Sequence, residues 1–64
     1  MFVRLKYNDM GQERGYTVQV RNKKELLQKM ARLNITPDNI IYFGVKQYGE
    51  DQYKEYDPET LKAG

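Results

Sequence analysis

The chain has 64 residues, of which 39% are hydrophobic, and a formal net charge of +2 at pH 7. This length predicts one small domain with a narrow margin of stability, because short chains bury a small share of their surface. The chain contains no Cys and no His, which excludes disulfides, thiolate zinc sites, cysteine nucleophiles and imidazole metal ligands.

The first two predicted strands form a β-hairpin over residues 2–21. Apolar and polar residues alternate over residues 2–7 and again over residues 16–21, which is the period of a half-buried strand. The apolar set is predicted to face the core and consists of Val3, Leu5, Tyr7, Tyr16, Val18 and Val20. The alternative is a pair of shorter strands joined by a flexible loop.

Charge and turn chemistry predict the register of this hairpin. If Leu5 faces Val18, the same register sets Asp9 opposite Arg14 as an opposite-charge cross-strand pair. It also leaves Gly11-Gln12 as the loop, and glycine in the first loop position is what a type II′ turn requires.

A helix is predicted over residues 22–34. Asn22 is a favoured N-cap residue, and Glu25 follows close to the spacing of a capping box. Asn34 tolerates the left-handed conformation that ends many helices. Apolar residues at helical spacing predict one stripe that faces the core, formed by Leu26, Leu27, Met30, Ala31 and Leu33.

A second hairpin is predicted over residues 40–56, and its first strand is predicted to direct Ile41, Phe43 and Val45 to the core. Two registers compete for this hairpin. One sets Lys46 opposite Lys54, and the other sets Lys46 opposite Glu55. The second register is favoured because it pairs opposite charges and keeps the acidic side chain away from the core.

The last segment, residues 57–64, is predicted to form a C-terminal turn. Asp57 is a favoured N-cap residue, and Pro58 suits the first helical position. This turn is predicted to place Leu61 on the core.

These elements predict an α+β fold of order ββαββ, in which one helix packs on one face of a four-stranded, mainly antiparallel sheet. Short connections favour strand order 2-1-3-4, and order 1-2-3-4 with one parallel pair is the alternative. A single helix covers only one face of such a sheet. The opposite face is therefore predicted to meet water or a partner.

The residue content argues against catalysis, so we expect a protein that is not an enzyme and that binds no cofactor or metal. Ser is absent along with His and Cys, so no hydroxyl–imidazole or thiol–imidazole nucleophile can be assembled. A small sheet with one helix offers no deep cleft to desolvate paired carboxylates. A solvated acidic edge is predicted instead, formed by Asp51, Glu55, Asp57 and Glu59.

Aromatic and basic side chains are predicted to share the sheet face away from the helix. We predict a binding surface there, formed by Arg4, Lys6, Gln19, Arg21, Tyr42, Lys46, Tyr48 and Tyr53. The neighbours predicted on the same face are Phe2, Thr17, Ile40 and Glu55. Tyr7 and Tyr56 are predicted to lie on the core side. The competing interpretation is that the exposed rings are ordinary cross-strand pairs of a sheet that binds nothing.

A second basic surface is predicted on the outer side of the helix, where Lys24, Gln28 and Arg32 repeat every four residues. Such a stripe can bind phosphates or an acidic protein, and it is also the ordinary solvated side of an amphipathic helix. Charge is uneven along the chain. Residues 1–33 have eight basic and three acidic side chains (+5), and residues 34–64 have three basic and six acidic ones (−3).

These features predict a small protein-binding module, an adaptor or inhibitor of an unidentified protein partner, that acts through the open sheet face or a sheet edge. Weak single-stranded nucleic-acid binding by Tyr, Arg and Lys is the alternative. Self-association through a sheet edge is a third hypothesis. No stretch approaches the ~20 apolar residues of a membrane helix, and the early charges do not suit a signal peptide. We therefore expect a cytoplasmic protein of a bacterium or phage, without a membrane partner.

Overall fold

The computed structural model describes residues 1–62 and has the predicted α+β architecture. In chain order, its strands and helix are β1 (Phe2–Asp9), β2 (Gln12–Gln19), α1 (Lys23–Arg32), β3 (Ile40–Lys46) and β4 (Lys54–Glu55). Two 3₁₀ turns span Pro37–Asn39 and Pro58–Leu61. All strand pairs are antiparallel, and the order β2-β1-β3-β4 confirms the favoured topology. None of the helices in residues 1–62 combines the length and the apolar character of a membrane-spanning segment.

The first hairpin has a different register from the predicted one. Leu5 lies opposite Tyr16, which is an offset of two residues from the prediction. The turn is centred on Met10 and Gly11, whose φ values of 53° and 87° are both positive, as a type I′ turn requires. The side chain of Asn8 supports this turn by accepting a 2.8 Å hydrogen bond from the Gly11 amide. Because side chains alternate with a period of two, this offset leaves each one on its predicted face.

The predicted ion pair of this hairpin forms although the register differs. Arg14 Nε lies 2.7 Å from Asp9 Oδ2, while Arg14 is directly opposite Tyr7 in the ladder. The pair is therefore diagonal, and it is exposed enough to contribute at most about 1 kcal/mol. An attractive charge pair consequently could not identify the register, because two registers satisfy it.

α1 ends two residues earlier than predicted, and its last turn differs from the predicted apolar stripe. Asn34 has a φ of 59°, and the amides of Asn34 and Ile35 donate to the carbonyls of Ala31 and Met30, as in a Schellman motif. This reversal directs Ile35 back into the core, where it is 4% exposed. The predicted core-facing stripe is wrong at its C-terminal end, since Ala31 is exposed and Leu33 is 47% exposed.

The N-terminus of α1 depends on a side-chain cap, as predicted. Asn22 Oδ1 accepts a 2.9 Å hydrogen bond from the Glu25 amide. We expect Asn22→Ala to lower the free energy of unfolding by about 1 kcal/mol, because a first-turn amide loses its partner. Urea denaturation followed by circular dichroism measures this loss. Asn39→Ala, at an exposed position in a 3₁₀ turn, is the control, and equal losses for both variants would contradict the assigned cap.

A β-bulge in β3 reverses two predicted orientations. Lys6 pairs with Tyr42 and Tyr7 pairs with Ile40, so Ile41 is an extra residue without its own partner on β1. As a result Ile40 packs against the core and Ile41 is 54% exposed. The sequence predicted the opposite, with Ile40 on the open face and Ile41 in the core.

The second hairpin follows neither predicted register. Gly44 lies opposite Glu55, which was predicted to face Lys46. A tight turn over residues 47–50 accounts for the difference, because it curls the chain immediately after β3. Gly49 supplies the positive φ of 86° that this turn requires, and β4 then pairs over two residues only. The offset is again two residues, so the predicted faces are kept.

The core lies between α1 and the sheet, and its buried members are Val3, Leu5, Val20, Leu26, Met30, Ile35, Phe43, Val45 and Leu61. Leu61 is 4% exposed, as predicted. Asp57 Oδ1 caps the C-terminal turn by accepting a 2.9 Å hydrogen bond from the Glu59 amide. Lys23 Nζ also donates a 2.7 Å bond to the Thr60 carbonyl. The C-terminal segment is thus held on the helix side of the sheet, and residues 63–64 of the predicted turn lie outside the described residues.

Lys62 joins the two 3₁₀ turns. Its ammonium group contacts the carboxylates of Asp38 and Glu59, the latter at 3.1 Å. The hydrogen bond to Asp38, with a smaller contribution from Glu59, raises the pKa of Lys62 above its usual value of 10.5. Because the fold favours the charged amine, these contacts persist at neutral pH and are lost only as the pH rises through the raised pKa.

Candidate functional site

The side of the sheet opposite α1 is termed the open face. Val3 and Leu5 are fully buried on the helix side, so the alternate residues of β1 point the other way. The pairing registers place on the open face Phe2, Arg4, Lys6 and Asn8 of β1, Glu13, Gly15, Thr17 and Gln19 of β2, Tyr42, Gly44 and Lys46 of β3, and Glu55 of β4. The C-terminal turn packs on the helix side, whereas the loop between β3 and β4 lies over one end of the open face through Tyr48 and Tyr53.

Three rings and two cations meet at one end of the open face and form the ring–cation cluster, which consists of Phe2, Arg4, Lys46, Tyr48 and Tyr53. Arg4 Cζ lies 4.6 Å from the centre of the Tyr53 ring. Lys46 Nζ lies 5.3 Å from the ring centres of both Phe2 and Tyr53. The rings of Phe2 and Tyr48 meet edge to face, with centroids 5.3 Å apart and an interplanar angle of 70°.

These contacts order the cluster without burying it. An exposed cation–π contact stabilises by about 0.5–1 kcal/mol, and an aromatic pair adds about 0.5–1.5 kcal/mol beyond its buried area. Tyr48 nevertheless remains 63% exposed, and Arg4 is exposed as well. The side chains are therefore restricted in conformation while their surfaces stay available for contact.

A hydrogen bond closes the outer side of the cluster. Gln19 Nε2 donates to the hydroxyl of Tyr48. Gln19 is the last residue of β2, and Tyr48 lies on the turn that follows β3. Phe2 pairs directly with Gln19 in the ladder, so the bond passes beside the Phe2 ring. It links the β2 edge to the 47–50 turn and adds a fixed polar group to the cluster.

Tyr42 forms a separate feature of the open face because its ring lies across Gly44. A methyl group placed on Gly44 would lie 2.8 Å from Tyr42 Cζ and 2.9 Å from Tyr42 Cε2. The ring therefore fills the space that a side chain at position 44 would need, and it remains half-exposed. Lys6 pairs with Tyr42 and Arg4 pairs with Gly44, so two cations flank the ring.

We expect Gly44→Ala to displace the Tyr42 ring from the sheet surface while changing the free energy of unfolding by less than about 1.5 kcal/mol. The new methyl group collides with the far end of a side chain, which can swing towards solvent. Nuclear Overhauser contacts between the Tyr42 ring and residue 44 measure the position of the ring. Gly15→Ala is the control, because nothing lies within 4 Å of its added methyl group. An unmoved Tyr42 ring in Gly44→Ala would show that the ring does not rest on this glycine.

Arg21 is the predicted site residue that the structure does not bring to the open face. β2 ends at Gln19, and Arg21 Nε lies 3.7 Å from Glu25 Oε2 at the start of α1. The predicted core-side tyrosines also separate. Tyr7 packs against the core, whereas Tyr56 is 46% exposed, with its ring centroid 6.1 Å from that of Phe43.

The outer side of α1 carries the predicted second basic surface. Lys24, Gln28 and Arg32 are all exposed, and within residues 1–62 their side chains form no hydrogen bond or ion pair. No exposed ring lies among them on the helix. This surface offers charge alone, whereas the open face combines charge with ordered rings.

A groove of about 330 Å³ on the helix side was not predicted. Its walls include Leu26 of α1, Phe43 and Val45 of β3, and Leu61 of the C-terminal turn, and Tyr56 lies at its rim. The groove exists because β4 is only two residues long and leaves the side of β3 partly uncovered. Tyr56 was the only residue in the sequence that indicated this groove, because its polar hydroxyl group does not suit a fully closed core.

The polar and charged side chains of the described residues lie at or near the surface. Within residues 1–62 no polar or charged residue is buried, and no group of three or more His, Cys, Asp or Glu could hold a metal ion. The open face carries the three cations Arg4, Lys6 and Lys46 against two carboxylates, Glu13 and Glu55. It can therefore attract an anionic surface and contact apolar groups in the same place.

Comparison with known proteins returned no relative from which a function could be transferred. No protein family, curated protein or solved structure matches the chain. The functional proposal therefore rests on the geometry of the open face.

Proposed function

We propose that the chain is a non-catalytic protein-binding module, an adaptor or inhibitor, that contacts its partner through the open face. One observation carries the proposal: Arg4 and Lys46 lie against the half-buried rings of Phe2 and Tyr53, and the Phe2 ring in turn contacts the exposed ring of Tyr48. Small chains of this kind are common among phage and mobile-element proteins that regulate host machinery. By that analogy we place the module in the cytoplasm as a regulator of a partner protein.

The ordering of the cluster favours tight contact with a partner. Tyr and Arg are enriched at interface hot spots, and rings supply a large contact area at low entropic cost. Immobilising a flexible side chain on binding costs about 0.5–1.5 kcal/mol. Arg4 and Lys46 already rest against rings, so part of this cost is met before the partner arrives.

The charge of the open face indicates the partner's chemistry. Three cations outnumber the two carboxylates of Glu13 and Glu55 on this face, and the exposed Tyr48 provides an apolar surface among them. The complementary surface is acidic at its margin and apolar at its centre. Such complementarity raises the association rate and excludes basic partners.

A protein partner fits the cluster better than a nucleic acid does. Base stacking needs a ring with a free side, but Arg4 and Lys46 both lie over Tyr53. Glu55 lies opposite Gly44 on the same face and repels phosphate. These two features direct the cluster towards protein side chains.

Tyr42 supports single-stranded nucleic-acid binding as the second candidate function. Its ring lies over Gly44 with Lys6 and Arg4 beside it, and this layout allows a base to stack while cations contact phosphates. If this function holds, retention on a single-stranded oligonucleotide at low ionic strength falls steeply with added salt. It is also lost in Tyr42→Ala but kept in Tyr48→Ala. No retention at low ionic strength would remove this candidate.

Affinity capture with matched variants tests the protein-binding function. The immobilised chain is exposed to bacterial lysate with and without nuclease, and captured proteins are identified by mass spectrometry. We expect a protein whose capture survives nuclease and is lost with Arg4→Ala and with Tyr48→Ala. Lys24→Ala, on the outer side of α1, is the control that should capture normally.

Circular dichroism must first show that all variants are folded, so that lost capture reports on contact. Capture that is equal for the wild type, Arg4→Ala and Tyr48→Ala would contradict the proposal. Capture lost only with Lys24→Ala would move the binding surface to the helix.

A further inference from the structure

β2 (Gln12–Gln19) is an edge strand, and no described residue pairs with its outer side. Val20 and Met1 exchange two hydrogen bonds, of 2.9 Å and 2.8 Å, just beyond the β1–β2 ladder. Hydrogen-bonded positions alternate along an antiparallel pair. The register therefore bonds positions 12, 14, 16 and 18 to β1. Positions 13, 15, 17 and 19 direct their amides and carbonyls outward.

This edge has few of the features by which proteins normally block strand addition. β2 is eight residues long, it contains no proline and no lysine, and its two charged residues, Glu13 and Arg14, lie at the end next to the turn. Its pairing with β1 is continuous, without a bulge. The opposite edge, β4, is two residues long and offers little backbone for pairing. Among the described strands, β2 is therefore the one suited to accept another strand.

We propose that β2 pairs antiparallel with β2 of a second copy of the chain, around a two-fold axis at Tyr16, to form one continuous sheet. This register sets Glu13 opposite the partner's Gln19 and Gly15 opposite the partner's Thr17, and the same pairs recur beyond the axis. All outward-pointing positions of one strand then meet outward-pointing positions of the other. A shift of two residues in either direction leaves one of these positions on each strand without a partner.

The side chains agree with this register. Tyr16 meets the partner's Tyr16 at a non-hydrogen-bonded pair, where Cα atoms are about 4.5 Å apart and cross-strand aromatic contact is favourable. Arg14 faces the partner's Val18, and no like charges lie directly opposite. If the two-fold axis lay at position 14, closer to the turn, Arg14 would instead lie opposite the partner's Arg14. Tyr16 and Val18 are only half-buried in one copy, so the pairing also covers apolar surface.

The helices leave room for this arrangement. α1 buries Leu26 and Met30 in the same cluster as Val3 and Leu5 of β1, which are fully covered. β1 and the partner's β1 would be three strand spacings apart, which is about 14 Å. Packed helices need an interaxial distance of only about 8–10 Å. The two helices therefore flank the paired tyrosines without colliding.

A second copy is the occupant that the chain's own properties favour. Any antiparallel pairing of β2 with its own copy is isologous, and the register centred on Tyr16 sets no like charges directly opposite each other. Each copy carries a net charge of only +2, so electrostatic repulsion is small. A domain this short, without a cysteine, also gains from association, which commonly stabilises small folds.

The molar mass in solution tests the proposal. Sedimentation equilibrium over about a hundredfold range of concentration should show a rise from 7.6 kDa towards twice that mass. Thr17→Pro removes an outward amide and should remain monomeric, because it costs no bond to β1. Glu55→Pro is the control. The Tyr56 amide bonds to the Phe43 carbonyl of β3, so the amide of the preceding residue, Glu55, points away from β3 at the opposite edge of the sheet. This control should dimerise like the wild type.

Disulfide trapping tests the register and does not depend on the proline variant folding. The chain has no cysteine, so Tyr16→Cys places a single thiol on the proposed axis, within bridging distance of its copy. Under mild oxidation it should cross-link at least about tenfold faster than Lys24→Cys, because pairing raises the effective concentration. Thr17→Cys should cross-link slowly, since its copy lies diagonally out of reach.

The outcomes separate this dimer from other occupants of the edge. Concentration-dependent dimerisation that is lost in Thr17→Pro, with the fastest cross-linking in Tyr16→Cys, supports it. A monomer at all concentrations, with Tyr16→Cys no faster than Lys24→Cys, overturns it. The proposal also fails if the chain stays monomeric while Thr17→Pro abolishes capture of another protein, because the edge would then accept a foreign strand.

Discussion

Leu5→Ala is expected to lower the free energy of unfolding by about 2–5 kcal/mol, the range for buried Leu→Ala changes. Leu5 is fully buried at the centre of β1, between the two other long strands and under α1. Domain stabilities are about 5–15 kcal/mol, and a short chain belongs near the lower end. This one truncation should therefore remove much of the free energy of unfolding and leave a detectable unfolded fraction at 25 °C. Urea denaturation followed by far-ultraviolet circular dichroism measures the free energy of unfolding.

Leu33→Ala makes the same chemical change at a position that is 47% exposed. Its effect should be within about 0.5 kcal/mol, as for most surface substitutions. Comparable losses for Leu5→Ala and Leu33→Ala would show that the core does not lie between β1 and α1.

Arg4→Glu is expected to weaken partner binding by at least about 30-fold, which corresponds to the ~2 kcal/mol of a hot-spot residue. The substitution removes the cation that lies over Tyr53 and adds a second carboxylate near Glu55. An acidic partner surface would then meet like charge where it now meets opposite charge. Isothermal titration calorimetry with the purified captured partner measures the change.

The matched control is Arg32→Glu, which makes the same charge reversal on the outer side of α1. Both variants change the net charge equally, so a general electrostatic effect would weaken both. The free energy of unfolding of Arg4→Glu should fall by no more than about 1 kcal/mol, because it loses one exposed cation–π contact. Equal binding by the wild type and Arg4→Glu, with a loss in Arg32→Glu, would assign recognition to the helix.

Periodicity and caps in the sequence predicted most of the fold. Alternation identified the strands, Asn22 and Asn34 marked the ends of α1, and short connections favoured the strand order that is observed. These signals depend on neighbouring residues, and a single sequence displays them directly.

The registers could not be predicted, because both hairpins are offset by two residues. Such an offset preserves every side-chain face, so the apolar pattern is the same in the predicted and observed pairings. The conformations of the turns determined the two registers instead. Met10 adopts a positive φ, which is uncommon for a residue with a side chain, and Gly49 closes a turn directly after β3.

The candidate site was predicted in composition but not in its contacts. Alternation placed Arg4 and Lys46 on one face, yet their meeting at Tyr53 depends on the loop between β3 and β4, which has no period. The bulge at Ile41 was invisible for a similar reason: two adjacent isoleucines give equal hydrophobicity to either face. Arg21 was misplaced because its alternation continues past the point where β2 ends.

The claim that the open face binds the partner is tested most directly by nuclear magnetic resonance with the isotope-labelled chain and its captured, unlabelled partner. Cross-saturation from the partner identifies the residues in contact. We expect the strongest loss of signal at Phe2, Arg4, Lys46, Tyr48 and Tyr53, and little change at Lys24, Gln28 and Arg32. Losses confined to the outer side of α1, or to the groove beside Phe43 and Leu61, would contradict the claim.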